Sequence, residues 1–250
     1  MTQRERFFSA TDILPGIFFE KIIPTAYETV WVDKTVMSDP EHGIVHSIVL
    51  LGIFNRIRNP IEARGVWKAV KHNEQITYHK VNPNLNPIAF YKAIFFHDTQ
   101  RVSQSPDDES PINEEHGNKA ACKLINFSAG EEYDKGIVTI ATTIISNHDR
   151  PIEQILTNPK LKQNFNLRVF MFCDLLAQVR YENHNITIEK LNRILPGVFS
   201  QNELSLLIEN TSGWINDINH PDLAKTVESV IETGIKRGFF GDVPPSPHKT

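Results

Sequence analysis

The stretch Phe95-Phe96-His97-Asp98 constrains this chain more than any other, because two polar side chains end an apolar run, AIFFHD. Burying a histidine beside an aspartate is costly unless both groups form hydrogen bonds or bind a cation. The pair therefore needs partners from elsewhere in the chain. Residues of types that bind divalent metals are available for this role, namely His46, His116, His148 and Asp174.

Length and composition indicate a soluble globular protein. The 250 residues suffice for one large domain or two small ones, and 40% hydrophobic with 22% charged residues is ordinary for such proteins. The net charge of -4 argues against a nucleic-acid partner, which usually requires a basic face. The N-terminus lacks the apolar core of a signal peptide, and no segment is apolar over the roughly 20 residues of a membrane span. We therefore expect a cytoplasmic protein with no membrane partner, and secretion as an effector stays open.

The chain is expected to divide into three parts. Residues 1–38 form an N-terminal extension, residues 39–238 a helical domain, and residues 239–250 a disordered tail. Within the domain, residues 59–84 hold two prolines and the helix-like string IEARGVWKAV, which indicates an insertion that is either a lid or a surface loop. Convincing strand alternation is absent, so we predict an all-α fold.

The first helix of the domain is predicted over residues 40–57. The string DPE suits its start, because aspartate can cap, proline fits the first position and glutamate favours the positive end of the helix dipole. His42 and His46 lie four residues apart and share a face with the apolar residues that follow. A histidine on an apolar face is more often a hydrogen-bonded core residue than a ligand, so the ligand interpretation depends on the other histidines.

Further helices carry the remaining candidates. The run PIAFYKAIFFHD is helical by composition and delivers His97 and Asp98 at its C-terminal end. After a polar loop, His116 opens the helix HGNKAACKLINF. In the helix EEYDKGIVTIATTIISNHDRP, His148 ends an apolar face before a proline stops the helix. Two amphipathic helices are predicted within residues 200–237.

Asp174 lies at the centre of the predicted helix KQNFNLRVFMFCDLLAQVRYEN, which is apolar nearly all round. A carboxylate in such surroundings must be neutralised, paired or bound to a metal. Arg168 or Arg180 could pair with it, so a salt bridge is the alternative to a metal. Cys173, like Cys122, stands in an apolar run, and we expect both to be reduced core residues.

Taken in chain order, these strings resemble the HD-domain superfamily of metal-dependent phosphohydrolases over about residues 40–182. HGIVHSIVLLGIF is similar to the first helix of that family, FFHDTQRV to its His-Asp signature, EEHGNKAACKLI to its HG helix start, and FCDLLAQVRY to the segment with its last aspartate. Phe172 replaces a further aspartate of that last segment, and Thr99-Gln100 replaces the usual Ile-Gly. The resemblance implies an HD-domain helical bundle with extra C-terminal helices.

The resemblance also implies a metal centre. Its ligands would be histidines and aspartates: His46, His97, Asp98, His116, His148 and Asp174. In binuclear members Asp98 would bridge two ions, and His116 and His148 are the additional histidines. Imidazole nitrogens and carboxylate oxygens suit one or two ions of Mn, Fe, Co, Ni or Zn, with Mg also admitted.

Other residues are assigned roles around this centre. Arg101, three residues past Asp98, resembles the basic residue that contacts substrate phosphate in relatives, and a surface arginine is the alternative. Further candidates are Lys119 and Arg180 for substrate binding, Glu114 or Glu115 for proton transfer, and His42 for orienting a ligand or contacting substrate.

The function implied by the resemblance is hydrolysis of a nucleotide or other phosphoester by a metal-activated water, with Asp98 and Arg101 as catalytic residues. Two alternatives use the same scaffold: a di-iron oxygenase that activates dioxygen, and a degenerate domain that serves only as a binding module. The string HGIVH also resembles the phosphodiesterase domain of secreted bacterial effectors that cleave phosphoribosyl-ubiquitin linkages. The expected partner is a small phosphorylated substrate, and the oligomeric state is left undetermined.

Overall fold

Nine helices and one β-hairpin make up the part of the chain that the computed structural model describes: residue 32 and residues 42–72, 75–81, 85–102, 115–128, 135–178 and 184–218. In chain order they are α1 (Ile44–Arg64), β1 (Val66–His72), β2 (Gln75–Val81), α2 (Pro87–Phe96), α3 (His116–Ser128), α4 (Lys135–Ile145), α5 (Ile152–Thr157), α6 (Pro159–Lys162), α7 (Phe165–Ala177), α8 (His184–Ile194) and α9 (Gln201–Ile218). The predicted all-α class is confirmed, since helices form nearly all of the regular structure in these ranges.

Some predicted segments lie outside the described residues. They are the N-terminal extension apart from Val32, the second of the two C-terminal helices and the tail over residues 239–250. The division of the chain into domains therefore stays a prediction. In the described part, no helix is both long and apolar enough to cross a membrane.

Helix α7 is the central element and packs against α1, α4, α8 and α9. Asn164 caps it by accepting a hydrogen bond from the backbone N–H of Leu167 at 3.0 Å. The helix is apolar nearly all round because it has neighbours on several sides, and Phe170 and Phe172 are fully buried. Burial stabilises the fold by about 1.5–3 kcal/mol for each such side chain. Asp174 is thereby held at a fixed position on a rigid helix.

Helix α1 begins at Ile44 rather than at residue 40, so His42 precedes it. It ends at Arg64 rather than Ile57, because it passes through Pro60. A proline inside a helix costs about 3 kcal/mol. Ile57 and Ile61, on either side of Pro60, are both buried, and their burial offsets that cost. The helix stops at Gly65, which has a positive φ of 67° that disfavours any residue with a side chain.

The prediction of helix-like structure for IEARGVWKAV is wrong beyond Arg64. Val66–His72 and Gln75–Val81 are antiparallel strands, with Val66 paired to Val81. Gly65 ends the helix, and the residues after it are rich in β-branched and aromatic types that favour strands. The absence of clean polar and apolar alternation concealed this hairpin in the sequence.

Helix α2 ends where the His97-Asp98 pair begins. An asparagine cap and a proline at the first position start the helix. At its end, the Thr99 hydroxyl donates to the Phe96 carbonyl at 2.8 Å, and the Arg101 N–H donates to the Asp98 carbonyl at 2.9 Å. The chain therefore turns tightly after α2, and the turn holds His97 and Asp98 at the helix end.

Three helices, α5, α6 and α8, have no counterpart among the sequence predictions. The short α5 and α6 carry few apolar residues, so their hydrophobic pattern in the sequence is weak.

The two cysteines are free thiols, as expected, and Cys173 is buried. Cys122 is exposed, which contradicts its predicted place in the core. It lies on the outer side of α3, between Lys119 and Lys123, which are also exposed.

The start of α9 is tied to the end of α1. The Ser200 hydroxyl accepts from the Glu203 N–H at 3.3 Å, and the Glu203 carboxylate accepts from the Ser200 N–H at 2.8 Å. Arg64 donates to the same carboxylate at 2.6 Å and to the Val198 carbonyl at 3.0 Å. The hydrogen bond from Arg64, followed by those from Ser200, lowers the pKa of Glu203 to about 2.

The substitution Glu203→Gln is expected to lower the thermal stability of the protein near neutral pH. The pKa of Glu203 is lower in the folded protein than its ordinary 4.5, so its contribution is present above that pH and is lost as the pH falls toward 2. The difference in Tm between wild type and E203Q, followed by circular dichroism, should shrink across this range. Glu209→Gln, an exposed site on the same helix, is the control. A Tm difference that stayed constant down to pH 2 would contradict the assignment.

Candidate metal centre

The six residues predicted as metal ligands come together between α1, α2, α3, α4 and α7. Two groups of three present ligand atoms that all lie within 4.8 Å of one another: His46, His97 and Asp174, and His97, Asp98 and His148. His116 adjoins the second group through Asp98. The residue that the two groups share is His97, whereas the family resemblance assigns the bridging role to Asp98.

The first group joins α1 to α7. His46 Nε2 donates to Asp174 Oδ1 at 3.0 Å, and Gln178 Nε2 lies 3.4 Å from the same oxygen. Burial by itself raises the pKa of Asp174, but the hydrogen bond and charge of His46, then the charges of His97 and His148, lower it below its ordinary value. Asp174 is therefore a carboxylate at neutral pH.

Arg168, one of the two predicted alternative partners of Asp174, forms its hydrogen bonds elsewhere. Arg168 donates instead to the carbonyl of Ile194 at 2.7 Å and to that of Lys162 at 3.2 Å. Burial lowers the pKa of Arg168 to about 10, and the backbone carbonyls hold its charge at the ends of α6 and α8. Arg180 lies outside the described residues.

The second group surrounds the carboxylate of Asp98. His97 Nε2 lies 3.2 Å from Oδ2, while His116 Nε2 and His148 Nε2 lie 3.2 and 3.6 Å from Oδ1. Burial by itself raises the pKa of Asp98. The charge of His97 and hydrogen bonds from His116, His148 and His42 outweigh burial and hold the pKa well below its ordinary value.

Two of these imidazoles are oriented by carbonyl groups at helix ends. His97 Nδ1 donates to the Ile94 carbonyl at 2.7 Å, and His148 Nδ1 donates to the Ile145 carbonyl at 2.7 Å. A carbonyl only accepts, so each Nδ1 carries a proton, and Nε2 is the ring nitrogen that faces the centre and is placed to bind a metal. Histidines that bind metals usually have this outer hydrogen bond.

Helix α4 ends at Ile145, so His148 lies in the turn after the helix rather than on the predicted helical face. This turn is what allows His148 to reach the carbonyl three residues before it. The same turn places Asp149 Oδ2 at 3.6 Å from His116 Nδ1. Each of the imidazoles of His97, His116 and His148 therefore has an oxygen facing its Nδ1 atom.

Asp149 and Gln178 are the site residues that the sequence analysis missed. Both have a local signal. Asp149 directly follows a candidate histidine and forms a second His-Asp pair, and Gln178 lies one helical turn after Asp174. Neither signal is specific, because such pairs and spacings are frequent in sequences. The side chains that Asp149 and Gln178 contact are identified only by the folded structure.

Of the other predicted residues, Arg101 and His42 lie at the centre. Arg101 is at the centre, with Nε donating to Asp98 Oδ1 at 3.2 Å and Nη2 at 3.4 Å from His116 Nε2. His42 Nδ1 is 3.6 Å from Asp98 Oδ2 and is partly exposed. Lys119 and Glu115 are exposed and make no contact with the centre that the structure records, and Glu114 lies outside the described residues.

Gly117 permits α3 to approach the end of α4. A Cβ atom at this position would lie 2.6 Å from the Ile145 carbonyl oxygen and 3.4 Å from the His148 ring. That oxygen is the acceptor that orients His148. The glycine of the HG string is therefore required by packing next to a candidate ligand.

We expect Gly117→Ala to weaken metal binding, because the added methyl group displaces the carbonyl that orients His148. Loss of such a supporting contact typically costs 10–100-fold in metal affinity. Isothermal titration with Mn or Zn would measure the change. Gly136→Ala, at an exposed position of α4, is the matched control and should bind metal like the wild type. Unchanged metal affinity in G117A would show that His148 does not depend on this contact.

Comparison with known proteins adds no relative: no protein-family model, curated protein or solved structure matches this chain. Membership of the HD-domain superfamily therefore stays a prediction from the sequence strings. The geometry of the histidines and aspartates is the basis for assigning a function.

Proposed function

We propose that this protein is a metal-dependent phosphohydrolase or phosphodiesterase, related to the HD-domain superfamily, that acts on a nucleotide or other phosphoester. The observation that carries the proposal is the convergence of four imidazoles and two ionised carboxylates in one buried centre with an arginine beside it.

The donor atoms fit a divalent cation. His97 Nε2 is buried and forms no hydrogen bond within the described residues, although Asp98 Oδ2 lies 3.2 Å away. A lone pair that faces a carboxylate at this distance is repulsive unless a proton or a cation lies between them. His116 Nε2 and His148 Nε2 both face Asp98 Oδ1 and lie 3.2 Å from each other. A cation among these nitrogen and oxygen atoms would bind them together.

The charges of the centre also suit a divalent cation. The two carboxylates contribute two negative charges, and their lowered pKa values mean that they need not lose a proton to bind a cation at neutral pH. The described donors are nitrogen and oxygen atoms, which suit Mn, Fe, Co, Ni or Zn more than a thiolate-dependent centre. The only cysteine next to the centre, Cys173, is buried, and burial followed by the charge of Asp174 raises its pKa well above the ordinary value.

The chemistry follows from this centre and from Arg101. When bound, a divalent cation lowers the pKa of water and offsets the negative charge of a phosphoryl group. The guanidinium of Arg101 is partly exposed and can donate two parallel hydrogen bonds to phosphate oxygens. Asp98 holds this guanidinium beside the histidines. A partly exposed positive group beside an anionic centre favours an anionic substrate, which supports the hydrolase over the oxygenase.

Elemental analysis of gently purified protein, joined to a screen of phosphomonoesters, nucleotides and cyclic dinucleotides, tests the proposed function. We expect about one or two bound divalent ions per chain and release of phosphate or cleavage of a phosphodiester with Mn or Mg. Turnover that requires iron and dioxygen would instead identify an oxygenase. Metal content near zero and no turnover would identify a binding module.

We expect Asp98→Asn to abolish turnover and to weaken metal binding by about 100-fold or more, because it removes a charge that faces three imidazoles. The substitution keeps the volume of the side chain, so the helices should still pack. Isothermal titration and elemental analysis would measure metal binding, and circular dichroism would confirm the fold. Wild-type metal stoichiometry and affinity in folded D98N would contradict the assignment of Asp98 as a ligand.

Arg101→Ala should retain the metal and lower kcat/KM for phosphoesters by about 10–100-fold, which corresponds to loss of a charge-assisted hydrogen bond. Arg101→Lys keeps the charge without the bidentate geometry and should fall between wild type and R101A. Arg150→Ala, at an exposed position, is the control. A fall in metal content in R101A would show that Arg101 supports the centre and does not contact substrate.

A further inference from the structure

A recess lies between the turn after α2 and the outer side of α3. Its volume is about 330 Å³, and it is lined by Gln100, Asn118, Lys119, Cys122, Lys123 and Asn126. Gln100 connects it to the centre, because this residue lies between Asp98 and Arg101 in the chain. Helix α3 connects it as well, since its first residue is His116.

The described residues that line the recess include two lysines and no carboxylate. Lys119 and Lys123 lie one helical turn apart and are both exposed. Within the described residues, neither forms an ion pair. Like charges at this spacing destabilise a helix by roughly 0.2–0.5 kcal/mol. An anion between the two ammonium groups would remove this repulsion.

We propose that the recess is an anion subsite that binds a second phosphate group of the substrate. Ammonium groups and side-chain amides supply the N–H donors that phosphate oxygens accept. A substrate with one phosphate at Arg101 and another between Lys119 and Lys123 would span the turn at Gln100. The proposal rests on the proposed function and narrows the substrate to a compound with at least two phosphate groups, such as a nucleoside bisphosphate.

Binding of inorganic pyrophosphate to the metal-free protein tests the subsite without reference to catalysis. We expect chemical-shift changes at Gln100, Asn118 and Asn126 in a nitrogen–proton NMR titration, and binding about tenfold weaker in K119Q/K123Q. The variant K160Q/K162Q removes the same charge at two other exposed lysines and should bind like wild type. Equal binding by both double variants, or no shifts at the recess, would overturn the subsite.

Kinetics of the metal-loaded protein test its role in specificity. We expect K119Q/K123Q to raise KM for a nucleoside bisphosphate about tenfold more than KM for the corresponding monophosphate, whereas K160Q/K162Q should leave the ratio unchanged. An unchanged ratio in K119Q/K123Q would overturn the subsite as a substrate contact. Pyrophosphate binding at the recess in a protein that hydrolyses no phosphoester would support the subsite and reject the proposed function.

Discussion

The carboxylate of Asp98, buried among the imidazoles of His97, His116 and His148, is the interaction on which the rest of the structure depends. An ion taken out of water requires compensation, and here the compensation comes from three separate segments. The end of α2, the start of α3 and the turn after α4 must therefore meet at one point. The position of these ends sets how the three helices pack, and α7 closes the group by supplying Asp174.

Helix ends also provide the means of orienting the ligands. The last carbonyl groups of a helix have no partner within the helix, so they are free to accept from side chains. Ile94 and Ile145 use such carbonyls to hold the Nδ1 atoms of His97 and His148. Orienting the imidazoles in this way costs little free energy, because it satisfies backbone carbonyl groups that would otherwise need water. Gly117 matters for the same reason, since only a residue without a side chain leaves the Ile145 carbonyl in place.

The charge distribution around the centre links the two functional proposals. The centre contains two ionised carboxylates and suits a cation, while its surroundings carry Arg101, Lys119 and Lys123 and suit an anion. A substrate that is an anion and reacts at a cation fits both parts. The chain as a whole has a net charge of -4, so this positive edge is a local feature and would steer a phosphorylated compound more than a nucleic acid.

Much of the centre was predictable from the sequence, and the reason is chemical. Histidines and aspartates at the ends of apolar runs are costly to bury unpaired, so their types and order indicate that they meet, as His46, His97 and Asp174 do. Other features depended on contacts distant in sequence. Burial of Ile61 carries α1 through a proline, and the role of Asp149 exists only because α3 packs beside it. Local sequence determined which side chains needed partners, and tertiary packing alone decided which partners they found, because that choice depends on distances between helices.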